Sequence, residues 1–134
     1  MKKVQNKYDN FSKALKRLNE VMTIAKSEPD NDIYRDSLIK RYEFTFELAW
    51  KTVKAFMLDQ HIISDSFNAP RNILKKAYAE YIIDNEEVWV DMLEARNKMT
   101  HLYDEKEAAI IAENILLRYG KQLNLLADFL KKNT

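Results

Sequence analysis

The segment from Arg96 to Tyr103, Arg-Asn-Lys-Met-Thr-His-Leu-Tyr, contains residue types that can do chemistry. Histidine is the side chain that takes and gives protons near neutral pH. Arginine offers a fixed fork of N–H donors, which matches phosphate oxygens and the charge that builds on them during transfer. Arg96 and His101 therefore suit metal-independent RNA cleavage, in which the 2′-hydroxyl attacks the neighbouring phosphate. Asn97 adds a neutral donor and acceptor beside them.

Helical geometry limits how Arg96 and His101 can act together. On an unbroken helix, side chains five residues apart point about 140° away from each other. The two converge only if the helix ends near Thr100 or if a second subunit supplies one of them. The alternative interpretation is structural: Arg96 pairs with a buried carboxylate, and His101 lies at a helix end. Tyr103 follows closely and is expected near the same site.

The neighbours of Arg96 fit both interpretations. Arg96 follows Met92 and Leu93 at helical spacing and shares their apolar face. An arginine among core-facing residues must be paired, stacked on an aromatic ring, or placed in a pocket that needs its charge. Glu43 and Glu47 share the polar face of another predicted helix, and either is a candidate counter-ion.

Other kinds of site have little support in the sequence. His61 is predicted at a helix end, as a solvent-facing or capping residue. The spacing of histidines and carboxylates fits no zinc site. With Gly120 as the single glycine, a Gly-rich phosphate loop is excluded. We therefore expect no metal and no cofactor.

Composition predicts one globular domain over residues 1–134, with 46% hydrophobic and 32% charged residues. The chain has no cysteine, no apolar signal segment and no run long enough to cross a bilayer, so we expect a cytoplasmic protein without membrane contact. The net charge of +1 gives no support to a general nucleic-acid binder. A local basic pocket, or one assembled between subunits, remains compatible with it.

Few helix breakers interrupt the chain, since Pro29 and Pro70 are the two prolines. The apolar spacing predicts an all-α fold: an antiparallel four-helix bundle with an additional short helix. The predicted bounds are 4–26, 32–60, 70–83 and 85–101, followed by a fifth helix capped by Asp104 and reaching about Leu130.

The second predicted helix has two apolar faces. Phe44, Leu48 and Ala55 form a stripe separated from the main apolar face by a strip of Arg41, Thr45 and Thr52. Such a helix has either two neighbours within the chain or one neighbour and a partner subunit. A symmetric dimer is the leading form of the second alternative.

Three sequence blocks resemble a known family: Arg41-Tyr42-Glu43-Phe44-Thr45-Phe46-Glu47-Leu48-Ala49-Trp50-Lys51, then Pro70-Arg71, then Trp89 with Met92-Leu93 and Arg96-Asn97 through His101 and Tyr103. Their order and spacing are similar to those of the nucleotidyltransferase substrate-binding proteins, a branch of the HEPN superfamily. The resemblance covers about Tyr8 to Leu126.

The resemblance implies a HEPN-like helical bundle that forms a homodimer or a higher oligomer. It also implies a partner, a separate minimal nucleotidyltransferase subunit. In HEPN proteins an R-x(4–6)-H motif forms a metal-independent ribonuclease site at the dimer interface, so Arg96 and His101 would be catalytic and Asn97 a polar supporter. In toxin–antitoxin pairs the motif extends to R-x4-H-x-Y, and the partner transfers AMP to the tyrosine, here Tyr103. The alternative function is a non-catalytic docking subunit that presents substrate to the nucleotidyltransferase.

Overall fold

The computed structural model describes residues 2–99 and 104–134, whose regular secondary structure is helical, with no β-strand. The elements are α1 (Lys2–Ser27), α2 (Asp32–Asp59), α3 (Pro70–Ala79), α4 (Glu86–Lys98), α5 (Glu105–Asn114), a π-helical segment (Ile115–Tyr119) and α6 (Gly120–Asn133). The all-α prediction is confirmed. His101 and Tyr103 lie outside the described residues.

Asx side chains cap the first turns of three helices. The side chain of Asn31 accepts hydrogen bonds from the amides of Ile33 and Tyr34 at the start of α2. Asn85 accepts from the amide of Val88 in α4, and Asp104 accepts from the amide of Lys106 in α5. Each cap satisfies an amide that has no partner within its own helix. The predicted start of the last helix at Asp104 is therefore correct.

The third helix is shorter than predicted. It ends at Ala79, whereas the predicted end was near Ile83. Tyr81 has a φ of 62°, and the amide of Ile82 donates to the carbonyl of Ala77 over 2.9 Å. This is the hydrogen bond of a Schellman motif, with Tyr81 in the position that glycine usually takes. The turn buries Ile82 and Ile83 in the core, and that burial offsets the cost of the left-handed backbone. The fourth helix runs from Glu86 to Lys98, and its predicted end near His101 lies outside the described residues.

The predicted fifth helix is continuous and contains one π-helical segment. The backbone stays right-handed helical through Ile115 and Gly120, so α5, the π-helical segment and α6 follow one another without a break. The π-helical segment was not predicted. It places Tyr119 over Tyr42 of α2, with ring centroids 5.5 Å apart.

Contacts between helices confirm the antiparallel bundle. The α1–α2 pairing runs antiparallel, because the Thr52 hydroxyl lies 3.3 Å from the Lys7 carbonyl and Arg41 donates to the Arg17 carbonyl over 2.7 Å. The α1–α6 pairing runs antiparallel as well, because the amide side chains of Asn19 and Asn124 exchange hydrogen bonds of 3.0 Å while Met22, further along α1, lies against Gly120 at the start of α6. The core between the helices is apolar and includes the largest fully buried side chains: Phe11, Leu18, Tyr42, Phe46, Met57, Trp89 and Met92.

Most of the second apolar stripe of α2 is covered by the rest of the chain. Thr45 and Thr52 of the polar strip are buried, and each hydroxyl donates over 2.6 Å to the carbonyl four residues earlier. This back-bonding satisfies the hydroxyls and lets the strip pack beside α1. Ala55 is buried and Leu48 is half-buried, so most of the second stripe is covered within the chain. Phe44 is the exception, with 61% of its surface exposed.

No helix among the residues that the structure describes combines the length and the apolar character needed to span a membrane.

Candidate functional site

Helix α4, which carries Arg96 near its end, is anchored to α2 by aromatic side chains. The Tyr42 hydroxyl donates to the Met92 carbonyl over 3.0 Å, and Phe46 packs on Trp89 with ring centroids 6.0 Å apart. Both contacts are buried and run from α2 to α4. They fix the position from which the Arg96 side chain extends.

Arg96 forms an ion pair with Glu47 of α2. The Nε of Arg96 lies 2.8 Å from Oε1 of Glu47, and the two side chains are 27% and 30% exposed. Both atoms are buried, but the N–H direction does not meet the geometry of a hydrogen bond, so the contact is a close ion pair without good alignment. Of the two predicted counter-ions, Glu47 is the one observed; Glu43 lies 3.7 Å from Lys40.

Glu47 also contacts a second cation. Its Oε2 lies 3.7 Å from Nζ of Lys51, one turn further along α2. The Lys51 ammonium in turn lies 6.0 Å from the centre of the Trp50 ring. One carboxylate thus holds two positive charges, one from α4 and one from α2, at the end of α4. A phosphate oxygen approaching this point would meet both cations.

Two tyrosines stack behind Arg96. Burial raises the pKa of Tyr42 well above its ordinary value, the neighbouring Tyr119 raises it further, and the positive charge of Arg96 lowers it in part. Burial also raises the pKa of Tyr119, against the lowering effect of Arg118 and with a smaller rise from Asp91. Both phenols therefore stay neutral near pH 7, which suits a packing and positioning role.

Asn97 is exposed and does not point into the Arg96–Glu47 pair. It lines a shallow groove of about 400 Å³ together with Glu94, Lys98 and Glu107. Asn97 is therefore placed on the outer side of α4, where α5 begins. The predicted supporting role of Asn97 stays a prediction.

The structure brings together only part of the predicted site. Arg96 and Asn97 lie at the end of α4, whereas His101 and Tyr103 fall outside the described residues. The relative orientation of Arg96 and His101 therefore stays a prediction. His61, the other histidine, is exposed at the end of α2 with a φ of 59°, as predicted for a capping or solvent-facing residue.

Sequence reasoning missed Lys51 and the paired tyrosines. The Glu47–Lys51 spacing of one helical turn is a signal that identifies the pair. The Tyr42–Tyr119 contact depends on two helices meeting, and no local pattern predicts it. In the described ranges no three His, Asp or Glu side chains come together as ligands for a metal ion.

Three solved structures are similar to this fold. A protein from Thermus thermophilus superposes with a TM-score of 0.80 at 24% identity, covering 90% of this chain and 98% of its own. A Haemophilus influenzae protein, described as showing the fold of a substrate-binding domain of a nucleotidyltransferase, has a TM-score of 0.83 at 21% identity, with 92% and 98% covered. A Shewanella oneidensis complex, described as a tri-AMPylated HEPN toxin with MNT antitoxin, has a TM-score of 0.74 at 16% identity, with 96% of both chains covered.

At these identities the structural likeness establishes the fold. No curated protein sequence gives a significant match. The family described as "Nucleotidyltransferase substrate binding protein like" matches residues 6–132, which is nearly the whole chain, and confirms the resemblance seen in the sequence blocks. The chain therefore belongs to the nucleotidyltransferase substrate binding protein-like family, with a HEPN-like helical fold.

Proposed function

We propose that this protein is a metal-independent endoribonuclease that works as the toxin-type partner of a minimal nucleotidyltransferase. Arg96 and His101 are its catalytic residues, Asn97 supports them, and AMP transferred to Tyr103 silences it. The observation that carries the proposal is the position of Arg96: its guanidinium is held at the end of α4 by Glu47, beside Lys51. Two cations on one carboxylate suit the approach of a phosphate.

The proposed reaction is an internal transfer at phosphorus. The 2′-oxygen of RNA forms a bond to the adjacent phosphorus while the bond from phosphorus to the 5′-oxygen breaks, which leaves a 2′,3′-cyclic phosphate. The proton of the 2′-hydroxyl must leave, and the departing 5′-oxygen must gain one. His101 serves one of these two transfers as base or acid, and Arg96 stabilises the charge on the phosphate oxygens.

The proposed control is a second group transfer, catalysed by the partner. The phenolic oxygen of Tyr103 forms a bond to the α-phosphorus of ATP, pyrophosphate leaves, and the phenol loses its proton. The product carries a bulky anion two residues from His101, where it would repel a phosphate backbone and block access. The description of the Shewanella oneidensis complex as a tri-AMPylated toxin with its antitoxin supports this part of the proposal.

The proposed assembly is a homodimer or a higher oligomer. Phe44 leaves a large apolar side chain in solvent on the same helix as Glu47 and Lys51. A second copy that covers Phe44 would lie about one helical turn from Glu47, the residue of α2 that pairs with Arg96. The proposed cellular compartment is the cytoplasm, where RNA and ATP are both available.

A second function is favoured by the same ion pair. Arg96 already has a carboxylate partner, as the structural interpretation of this residue expects. On this alternative the chain is a docking subunit without catalysis, which binds the nucleotidyltransferase through exposed apolar side chains such as Phe44 and helps present its substrate. The two functions differ in whether the chain alone damages RNA.

Expression of the chain with and without its nucleotidyltransferase separates the two. We expect growth arrest and RNA fragmentation from the chain alone, and neither from Arg96→Ala or His101→Ala. Co-expression with the partner should restore growth and add AMP-sized increments to the intact mass of the chain. Tyr103→Phe should abolish the increments, whereas Tyr81→Phe, at the exposed turn after α3, should keep them. A chain that forms the complex without arresting growth would support the docking function instead.

A further inference from the structure

A basic groove lies along the seam between α1 and α2, away from the end of α4. It has a volume of about 560 Å³, and its walls include four lysines, Lys3, Lys7, Lys51 and Lys54, and two aspartates, Asp59 and Asp65. The lysines come from the start of α1 and from the second half of α2, which the antiparallel pairing brings side by side. We call this feature the lysine groove. Its lining has a positive excess that the net charge of the whole chain conceals.

Lys51 is paired with Glu47, and two aspartates share the lining of the groove, but two of its other lysines have no acidic partner. Among the described residues, no carboxylate lies within ion-pair distance of Lys7; Lys54 donates to the side-chain oxygen of Asn68, which is neutral. Lys7 and Lys54 are half-buried, so their stems lie on the protein surface while their ammonium groups reach the groove. Close cations without acidic partners repel one another, and an anion between them removes that repulsion.

Trp50 forms part of the groove wall next to Lys51. Its indole nitrogen is inaccessible to solvent, so it is closed to a ligand in the groove as well. Trp50 therefore contributes the surface of its ring to the groove, and the lysines contribute the polar groups.

The lysine groove is connected to Arg96. Lys51 lines the groove and lies 3.7 Å from Oε2 of Glu47, whose Oε1 is 2.8 Å from Nε of Arg96. The groove and the Arg96 pair therefore meet at Lys51, with the Glu47 carboxylate between Lys51 and Arg96. On α1, Lys3 and Lys7 are four residues apart, about 6 Å along the helix axis, so the groove presents cations to more than one phosphate.

We propose that the lysine groove binds the sugar–phosphate backbone of single-stranded RNA on one side of the phosphate held at Arg96. This inference rests on the proposed function and names where its substrate lies. Lysines are point charges that tolerate many phosphate positions, whereas a site for one phosphate favours the fork of an arginine. The groove therefore fits a strand better than a single nucleotide. Contacts of this kind position the strand and carry no base specificity.

A binding assay tests the groove independently of cleavage. Fluorescence anisotropy of a labelled 2′-O-methyl oligoribonucleotide measures affinity alone, because the methyl group removes the attacking hydroxyl. We expect the triple substitution Lys3→Gln, Lys7→Gln, Lys54→Gln, which leaves Lys51 beside Arg96 intact, to weaken binding about 10-fold or more. The slope of log affinity against log salt should become shallower by about two, since each lost phosphate contact on a single strand contributes about 0.7.

The matched control removes the same charge elsewhere. Lys13, Lys75 and Lys121 are exposed on α1, α3 and α6 and do not line the groove. Their triple substitution to glutamine should leave affinity within about twofold and the salt slope within about one. Equal losses in both triple variants, no loss in either, or no binding by the unmodified chain would overturn the proposal. So would AMP, at equal phosphate concentration, competing as well as the oligonucleotide.

The outcomes also separate this inference from the proposed function. If the groove variant loses RNA binding and the unmodified chain does not cleave ordinary RNA, RNA binding in the groove is supported and ribonuclease activity is rejected. If the unmodified chain cleaves RNA and the groove variant has an unchanged KM, ribonuclease activity is supported and RNA binding in the groove is rejected. Loss of nucleotidyltransferase binding at unchanged RNA affinity would reject the groove as an RNA site and assign it to the protein partner.

Discussion

The Nε of Arg96, on α4, lies 2.8 Å from Oε1 of Glu47, on α2. The pair joins the two helices at the point where α4 ends, and Lys51 contacts the other oxygen of the same carboxylate. Loss of Arg96 leaves Glu47 with a remaining cation, whereas loss of Glu47 leaves two cations facing each other. Removing Glu47 is therefore expected to destabilise the protein more than removing Arg96.

A double-mutant cycle measures this difference. Glu47→Ala should lower the free energy of unfolding more than Arg96→Ala does, and the coupling energy between them should be about 1 kcal/mol, near the top of the range for partly exposed pairs. Urea denaturation of the two single variants and the double variant gives these values. A coupling energy near zero would show that the contact is not an energetic link between the helices.

The buried tyrosines predict how stability depends on pH. Burial raises the pKa of Tyr42 above the ordinary value of 10.0, so the folded protein keeps a proton that the unfolded chain loses. Stability from this group is complete below pH 10 and is lost as pH rises from there through the raised folded pKa. The loss approaches about 1.4 kcal/mol per pH unit for one proton.

Tyr42→Phe isolates this effect, because it removes the ionisable hydroxyl and keeps the buried ring. At pH 7 the variant should be less stable by about 1 kcal/mol, since the Met92 carbonyl loses a hydrogen bond. Above pH 10 its stability should fall less steeply than that of the unmodified protein. Thermal denaturation between pH 8 and pH 11 provides the comparison, and parallel curves would refute the assignment.

Gly120 lies where α6 begins, against the end of the buried Met22 side chain of α1. A Cβ atom added there would lie 2.3 Å from Cε and 2.8 Å from Sδ of Met22. Gly120→Ala should therefore destabilise the protein by about 1–2 kcal/mol, although alanine is the better helix former. In a Met22→Ala background the contact is absent, and the same substitution should become neutral or stabilising. Destabilisation of equal size in both backgrounds would place the cause elsewhere.

The fold was largely predictable because the apolar spacing is long and regular. Phe11, Leu15, Leu18 and Met22 on α1 are buried as their spacing predicts, and Asp104 caps α5 as predicted. The end of α3 was not predictable locally, because Tyr81 adopts the backbone of a helix-ending glycine without being one. What decides that turn is the burial of Ile82 and Ile83, which depends on the rest of the bundle.

The candidate site was predictable only in part, for a different reason. The sequence narrows the counter-ion of Arg96 to Glu43 or Glu47, because both lie on one face of α2. Choosing between them requires the register of α4 on α2, which the Tyr42–Met92 and Phe46–Trp89 contacts determine. The lysine groove depends in the same way on the register of α1 on α2. A net charge of +1 gives no sign of it.

Cleavage of RNA by the purified chain tests the central claim most directly. In the presence of EDTA, the unmodified protein should cut single-stranded RNA and leave 2′,3′-cyclic phosphate ends. His101→Ala and Arg96→Ala should lower the rate about 100-fold or more. His61→Ala, which changes the other histidine, should cut at the unmodified rate. Absence of cleavage by the unmodified chain, or full activity of His101→Ala, would contradict the account.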